Sequence, residues 1–277
     1  MAVLVERLNG NFIGECMLRI PGVTLTSATV GNTPFNVCLY GHLTSGKTHM
    51  MADAAKHYLA EDKNVLYVVT PGEDPHTTLV RFGLGDIICT VANINEYETL
   101  MKAARGKIDV VILDSIKGVQ RMVLDKLVGP NKYPKVTKTE NDWPQCHDAF
   151  IASMNLWKDV APISLSIVPA DRSTDRFDSP DAAKPNLICC DLAGKMAADI
   201  RSIMSYMGYI ESDLDEATKQ FNRTISFVPS RRILTLARGL VRQMVEPIVL
   251  PDGMGGWAKV LEAFEEHKHE VLDDSQL

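Results

Sequence analysis

Gly41-His42-Leu43-Thr44-Ser45-Gly46-Lys47-Thr48 is the stretch on which the reading of this chain turns. It follows an apolar run rich in strand formers, residues 35–40. It opens a helical pattern over residues 47–60, with Met50/Met51, Ala54/Ala55 and Tyr58/Leu59 at four-residue steps. The octet has the form G-x-x-x-x-G-K-[ST] between a strand and a helix, the setting a phosphate-binding loop requires. Gly41 and Gly46 let the backbone turn tightly around a polyphosphate, with the loop N–H groups pointing inward as a nest. The helix that follows adds the partial positive charge of its N-terminus. Lys47 has the reach for the β- and γ-phosphates, and the Thr48 hydroxyl is a ligand for Mg²⁺. His42, Leu43, Thr44 and Ser45 complete the loop and His49 follows Thr48, so residues 41–49 are assigned to binding ATP with Mg²⁺.

Working outward, residues 64–70 (NVLYVVT) read as a second apolar strand, which Pro71, Gly72 and Pro75 end. Residues 87–91 read as a third strand. A helix over 95–104 follows, with Tyr97, Leu100, Met101 and Ala104 on one face. Residues 110–113 form a fourth strand ending at Asp114. Phe150, Met154, Trp157 and Ala161 mark a helix before a fifth strand at 163–168. Strands that are apolar throughout and alternate with helices predict an α/β fold, a mainly parallel twisted sheet with helices on both faces. Leu192, Met196, Ile200 and Ile203 suggest a further helix. Residues 206–210, 224–228 and 233–237 read as short strands expected to add antiparallel to the C-terminal side of the sheet. Residues 257–272 read as an amphipathic helix that leads into an acidic tail at 273–277. The expected organisation is an arm or edge element at 1–33, a core at 34–250, and a helix with acidic tail at 251–277.

A phosphate-binding loop needs a second carboxylate to hold the metal. Asp109-Val110-Val111-Ile112-Leu113-Asp114 supplies one, a Walker B pattern with Asp114 at the strand end. Ser115 has two readings, support of Asp114 or of an attacking water, and capping of the turn. Glu73, just past the second strand, is the carboxylate placed to orient that water. The competing reading is a solvated turn over Pro71-Gly72-Glu73-Asp74-Pro75. Two long segments, 117–145 and 171–188, leave the carboxyl edge of the sheet after the fourth and fifth strands, where open α/β sheets bind ligands.

The chain has 277 residues, 45% apolar and 23% charged, which fits a globular domain and excludes a collagen-like or disordered chain. No apolar run approaches the ~18–20 residues of a membrane-spanning helix, and residues 1–10 lack a signal-peptide core, so a cytoplasmic location is expected. The six cysteines contain no C-x-x-C pair, which reads as free thiols rather than a zinc site. The net charge of −6 argues against a uniformly basic nucleic-acid coat but leaves a local basic groove open.

The order of phosphate-binding loop, strand followed by Glu73, helix, and strand ending in Asp114-Ser115 resembles a RecA-type core. NVLYVVTPGEDPHTTLVRFGL, DIICTVAN and DVVILDSIKGV carry the likeness. The chain is similar to phage-encoded ATP-binding proteins with a compact RecA core, including the RecA-like branch of the Sak single-strand annealing proteins. Pro185-Asn186-Leu187 before a Gly194-Lys195 helix and Arg231-Arg232-Ile-Leu-Thr-Leu-Ala-Arg238 extend the likeness loosely over roughly 34–250. The resemblance implies an ATPase acting on single-stranded DNA in phage recombination, annealing or replication in the host cytoplasm. It implies a homo-oligomeric ring or filament, with a single-strand binding protein or other recombination proteins as partners. It places DNA contacts in the two long segments, at Lys117, Arg121, Lys132, Lys135 and Lys138 and at Arg172 and Arg176, with Tyr133 and Trp143 for base stacking. A solvated surface loop is the competing reading of each segment. It makes Arg231 and Arg232 candidate fingers acting on a neighbouring subunit's nucleotide. The chain departs from RecA where the fifth strand ends, since it reads Val168-Pro169-Ala170-Asp171-Arg172 in place of that family's Gln sensor, and Pro71-Gly72 displaces the carboxylate.

The alternative reading is a nucleotide-switched assembly protein without significant DNA binding, which the net charge of −6 suits. A small-molecule kinase would use 171–188 as a lid, and a hexameric helicase would share the core.

Overall fold

The computed structural model of the chain describes residues 35–129, 142–171, 188–193, 195–214, 221–228, 233, 235–237, 246–251 and 255–268. They fall in one unit, residues 34–277. Residues 1–33, Lys132, Tyr133, Lys135, Lys138, Arg172, Arg176, Arg231, Arg232 and the tail at 273–277 lie outside the described residues.

The protein is α/β, with one mixed, mostly parallel sheet. Its strands are β1 (Phe35–Gly41), β2 (Val65–Val69), β3 (Ile88–Thr90), β4 (Val110–Asp114), β5 (Ile163–Pro169), β6 (Tyr206–Leu214), β7 (Phe221–Ser226), β8 (Leu236–Ala237) and β9 (Ile248–Leu250). They lie in the order β3-β2-β4-β5-β1-β6-β7-β9, with β8 paired to β6. The helices are α1 (Lys47–Ala60), α2 (His76–Arg81), α3 (Ile94–Ala104), α4 (Ile116–Val128), α5 (Asp142–Lys158), α6 (Met196–Ile203) and α7 (Gly256–Lys268).

Both faces of the sheet are covered because its strands are apolar on both. Val37, Leu39, Tyr67, Val69, Val110 and Ile112 face α1, α2 and α7, meeting Met51, Leu79 and Trp257. Their neighbours in sequence, Cys38, Tyr40, Val68, Val111 and Leu113, face α3 to α6, meeting Tyr97, Val119, Phe150 and Ile200. Successive strand residues point to opposite faces, so one continuous apolar run fills two cores. Asn93 starts α3 by accepting from the Asn95 and Glu96 N–H groups, and Glu96 reaches back to the Ala92 N–H, the reciprocal pattern of a capping box.

Two expectations are corrected. The segment 117–145 is not one long loop, because α4 occupies its first part and α5 begins at Asp142. Ile116, Val119, Met122 and Val123 recur at helical spacing and are buried, a period that Lys117, Arg121 and Lys126 between them obscure. β6 is not antiparallel to its inner neighbour. It pairs parallel with β1 from Tyr206 to Tyr209, since α6 carries the chain back across one face before β6 starts. The antiparallel partners lie on its outer edge, β7 along Tyr209 to Leu214 and β8 at Tyr206 and Met207.

Helix α7 is tied to α1 by a buried carboxylate. Asp53 is 5% exposed and accepts from the Gly255 N–H at 3.0 Å and the Trp257 N–H at 2.8 Å, so it caps α7 from another helix. Replacing Asp53 with alanine leaves both amides unpaired and is expected to lower unfolding free energy by about 2–3 kcal/mol. Urea unfolding of the two proteins checks this, and a change below ~0.5 kcal/mol would refute the capping role.

Candidate nucleotide site

The candidate site stands at the carboxyl edge of the sheet, where β1, β2, β4 and β5 all end. The parallel register puts Gly41 opposite Pro169, Asp114 opposite Ile167 and Asp114 opposite Val69. A cleft of about 270 Å³ opens there, lined by Leu43, Thr44, Gly46, Lys47, Thr48, His49, Glu73, Thr78, Ser115, Ile167 and Pro169.

The loop between β1 and α1 needs both of its glycines. A Cβ on Gly41 would collide with the Ile210 carbonyl and the Ser45 hydroxyl. Gly46 has φ +91°, a left-handed conformation that favours glycine, and Thr44 also takes a positive φ of 68°. Gly46 is the N-cap of α1, and no side chain caps the helix. The first-turn N–H groups are therefore left to an anion.

Lys47 folds over its own loop. Its ammonium donates to the Gly41 carbonyl at 2.8 Å, the His42 carbonyl at 2.6 Å and the Ser45 hydroxyl at 3.4 Å. Burial lowers its pKa to about 8, with Glu73 and Asp114 pulling the other way. The carbonyls hold the cation in place and are weaker partners than phosphate oxygens, so a polyphosphate can take over the ammonium. Leu43 is exposed at the loop tip, while Ser45 is buried. His49 lines the cleft and packs edge-on against Phe82, their ring centres 4.8 Å apart.

Asp114 is 1% exposed, and its two oxygens differ. Oδ2 accepts from the Thr48 hydroxyl at 3.2 Å and the Tyr67 hydroxyl at 3.0 Å. Oδ1 is buried with no hydrogen-bond partner among the described residues. Burial, and then the charge of Glu73, raise the Asp114 pKa to about 7, against the pull of Tyr67, Thr48 and Lys47. A buried carboxylate oxygen without a donor beside a threonine hydroxyl fits Mg²⁺. That ion binds through one or two protein oxygens, with phosphate and water completing its shell. Among the described residues no group of three or more His, Cys, Asp or Glu side chains gathers to hold a metal, so protein ligands alone would not form a cage.

Glu73 reaches the same cleft. Its Oε1 accepts from the Ser115 hydroxyl at 2.6 Å, while Asp74 is exposed. Ser115 stands at the N-cap of α4 but makes no side-chain cap bond, so its hydroxyl serves Glu73 rather than the turn. The Asp114–Ser115 peptide is cis. Thr70 holds the two residues from β2's end. Its hydroxyl accepts from the Ser115 N–H at 2.8 Å and lies 3.2 Å from the Asp114 carbonyl and 3.1 Å from that of Ser115.

The described residues of the expected DNA surface stand elsewhere on this edge. Lys117 donates to Asp191 at 2.7 Å, and Arg121 stands 3.9 Å from Asp125 on α4. Both line a neighbouring cleft of about 330 Å³ that shares Glu73 with the first. Tyr67, Thr70 and Thr78 join the site without a sequence motif to announce them. Tyr67 had one available signal: it is the only residue of the run VLYVV with a side-chain donor, two positions before the strand end. No protein-family model matches the chain, and no curated protein sequence matches it.

Proposed function

We propose that the protein is a Mg²⁺-dependent ATPase built on a RecA-like core, with single-stranded DNA as its effector. The observation that carries the ATPase reading is the meeting of Thr48 and Asp114, 66 positions apart, at 3.2 Å beside Lys47. The strand order supports the RecA-like core, because β5 separates the strand of Gly41 from that of Asp114. Residues 41–48 would cradle the triphosphate, and Thr48 and Asp114 would hold Mg²⁺, which neutralises phosphate charge when bound. Lys47 moves from the Gly41 and His42 carbonyls to the β- and γ-phosphates. Glu73, oriented by the Ser115 hydroxyl, positions the attacking water. The apolar ends of β5, Ile167 and Pro169, face the cleft and contribute no hydrogen-bonding side chain there.

One observation favours the second reading, a nucleotide-controlled assembly protein with little affinity for DNA. Lys117 and Arg121, two of the expected phosphate contacts, already face carboxylates. A single assay separates the readings: ATP hydrolysis by the full chain with and without single-stranded oligonucleotide. The DNA reading expects stimulation of about fivefold or more that fades as salt rises, because phosphate contacts release counterions. Turnover unchanged by DNA supports the assembly reading. No Mg²⁺-dependent turnover in either condition refutes the ATPase proposal itself.

A further inference from the structure

Arg223 lies on β7, outside every motif of the sequence and outside the cleft residues named above. Ile225 and Phe227 pack in the core beneath α1 and α7, and strand alternation puts Arg223 on that same face. Its side chain extends from there over the phosphate-binding loop. The Arg223 Cδ stands 3.1 Å, and its Nη1 3.4 Å, from where a Cβ on Gly46 would sit. Gly46 leaves room for this side chain as well as supplying the turn of the loop.

Arg223 is half-buried, and among the described residues its guanidinium makes no hydrogen bond or ion pair. Lys117 and Arg121 differ from it, since each faces an aspartate. A partly desolvated guanidinium beside an uncapped helix N-terminus favours an anion at one place from two sides, through its fork of donors and through the first-turn amides.

The sheet order tells which part of a nucleotide meets it. β4 lies two strands to one side of β1, and β7 lies two strands to the other. Asp114 and Glu73 occupy the first flank and Arg223 the second. A triphosphate whose terminal phosphate faces Asp114 runs its inner phosphates toward the opposite flank. We infer that Arg223 binds the α- and β-phosphates of the nucleotide, within one and the same subunit. This rests on the nucleotide-site reading above and goes beyond it. It gives the site a cation that recognises the diphosphate as well as the triphosphate, so product would be retained after hydrolysis. It also separates this arginine from Arg231 and Arg232, the candidates for a neighbouring subunit's nucleotide.

The experiment is a fluorescence titration of the full chain with N-methylanthraniloyl-ADP and, separately, the ATP analogue, in the presence of Mg²⁺. The wild type is compared with Arg223→Ala, Arg223→Gln and Arg223→Lys. Loss of one charge-assisted phosphate contact is expected to weaken both nucleotides about tenfold in the alanine and glutamine variants, with partial recovery in the lysine variant. Circular dichroism checks that each variant is folded, and Arg223→Gln, which keeps a polar but uncharged side chain, stands in if alanine disturbs the strand. Wild-type affinity in the folded alanine and glutamine variants overturns the inference and leaves the nucleotide site standing. A loss confined to ATP also overturns it, because the guanidinium would then face the terminal phosphate. If the wild type takes up neither nucleotide, the nucleotide-site reading falls and this inference falls with it.

Discussion

Replacing Lys47 with alanine is expected to lower kcat/KM for ATP by about 10³-fold or more while the protein remains folded. The ammonium sits at the centre of the loop, held by the carbonyls of Gly41 and His42 where the phosphates would enter. Removing it takes away charge stabilisation that grows as the terminal phosphate departs, so turnover suffers more than binding. The fold is expected to tolerate the change. Burial lowers the Lys47 pKa to about 8, so its charged form is held at a cost that alanine removes, offsetting the lost hydrogen bonds. The same lowered pKa sets a pH dependence. Phosphate binding needs the protonated amine and raises its pKa. Nucleotide affinity is therefore level well below pH 8 and falls as pH rises through about 8. Steady-state hydrolysis and a melting curve check the variant together. Wild-type turnover in a folded Lys47→Ala protein would remove the octet from the site.

The parts of the fold that were legible in the sequence are those where one local pattern had no competitor. Residues 47–60 form α1 as expected, because alanine and methionine pairs at helical spacing begin directly after a glycine that caps the helix. Residues 110–113 read as a strand because the run is short and rich in β-branched residues, and β4 buries it throughout. α4 is obscured in the sequence, because its apolar period is interleaved with Lys117, Arg121 and Lys126, which read as a basic loop. α2 has six residues with Leu79 alone buried, too short for a period to register. The direction of β6 was not readable, because a strand's sequence does not state which neighbour it pairs with, and the α6 crossover decided it.

The site divides the same way. Lys47, Thr48 and Asp114 are legible as candidates because their chemistry dictates residue type and spacing within two short motifs, and the structure brings Thr48 and Asp114 to 3.2 Å. Glu73 was one of two adjacent acids, and the geometry that separates them is a hydrogen bond from Ser115, 42 positions away. Tyr67 and Arg223 reach their partners from strands distant in the chain, Tyr67 meeting Asp114 on β4 and Arg223 meeting Gly46 at the start of α1. A tyrosine in a buried strand and an arginine in an outer one are ordinary in sequence. Their relation to Asp114 and Gly46 exists only once the sheet order is known.

Asp114→Asn is expected to act in opposite directions on stability and activity. The Asp114 carboxyl is pushed up to about 7 by burial and by the neighbouring Glu73, well above the value of ~3.9 that an unfolded aspartate has. Between those values the folded protein without nucleotide binds the proton more tightly than the unfolded chain. Stability from this group is therefore full at low pH and is lost as pH rises through about 7. Asparagine carries no charge to desolvate, so the variant is expected to be more stable than the wild type by about 2 kcal/mol at pH 8, or roughly 4–6 °C in melting temperature. At pH 5 the gain should be clearly smaller, and it should vanish only below ~4, where the unfolded aspartate is protonated as well. Hydrolysis moves the other way. Oδ1 is the buried oxygen left without a donor, and exchanging the charged acceptor for an amide removes the protein's anionic contact to Mg²⁺, costing about 10²–10³-fold in turnover. The Mg²⁺ dependence of nucleotide binding, which should strengthen in the wild type as pH rises through about 7, should flatten in the variant. Melting curves at pH 5 and pH 8 with and without Mg–ATP read the stability and binding effects, and steady-state hydrolysis reads the turnover. A variant no more stable than the wild type at pH 8 would mean that the Asp114 charge is already compensated by Tyr67, Thr48 and Lys47. A variant that keeps wild-type turnover would exclude Asp114 as the metal's carboxylate.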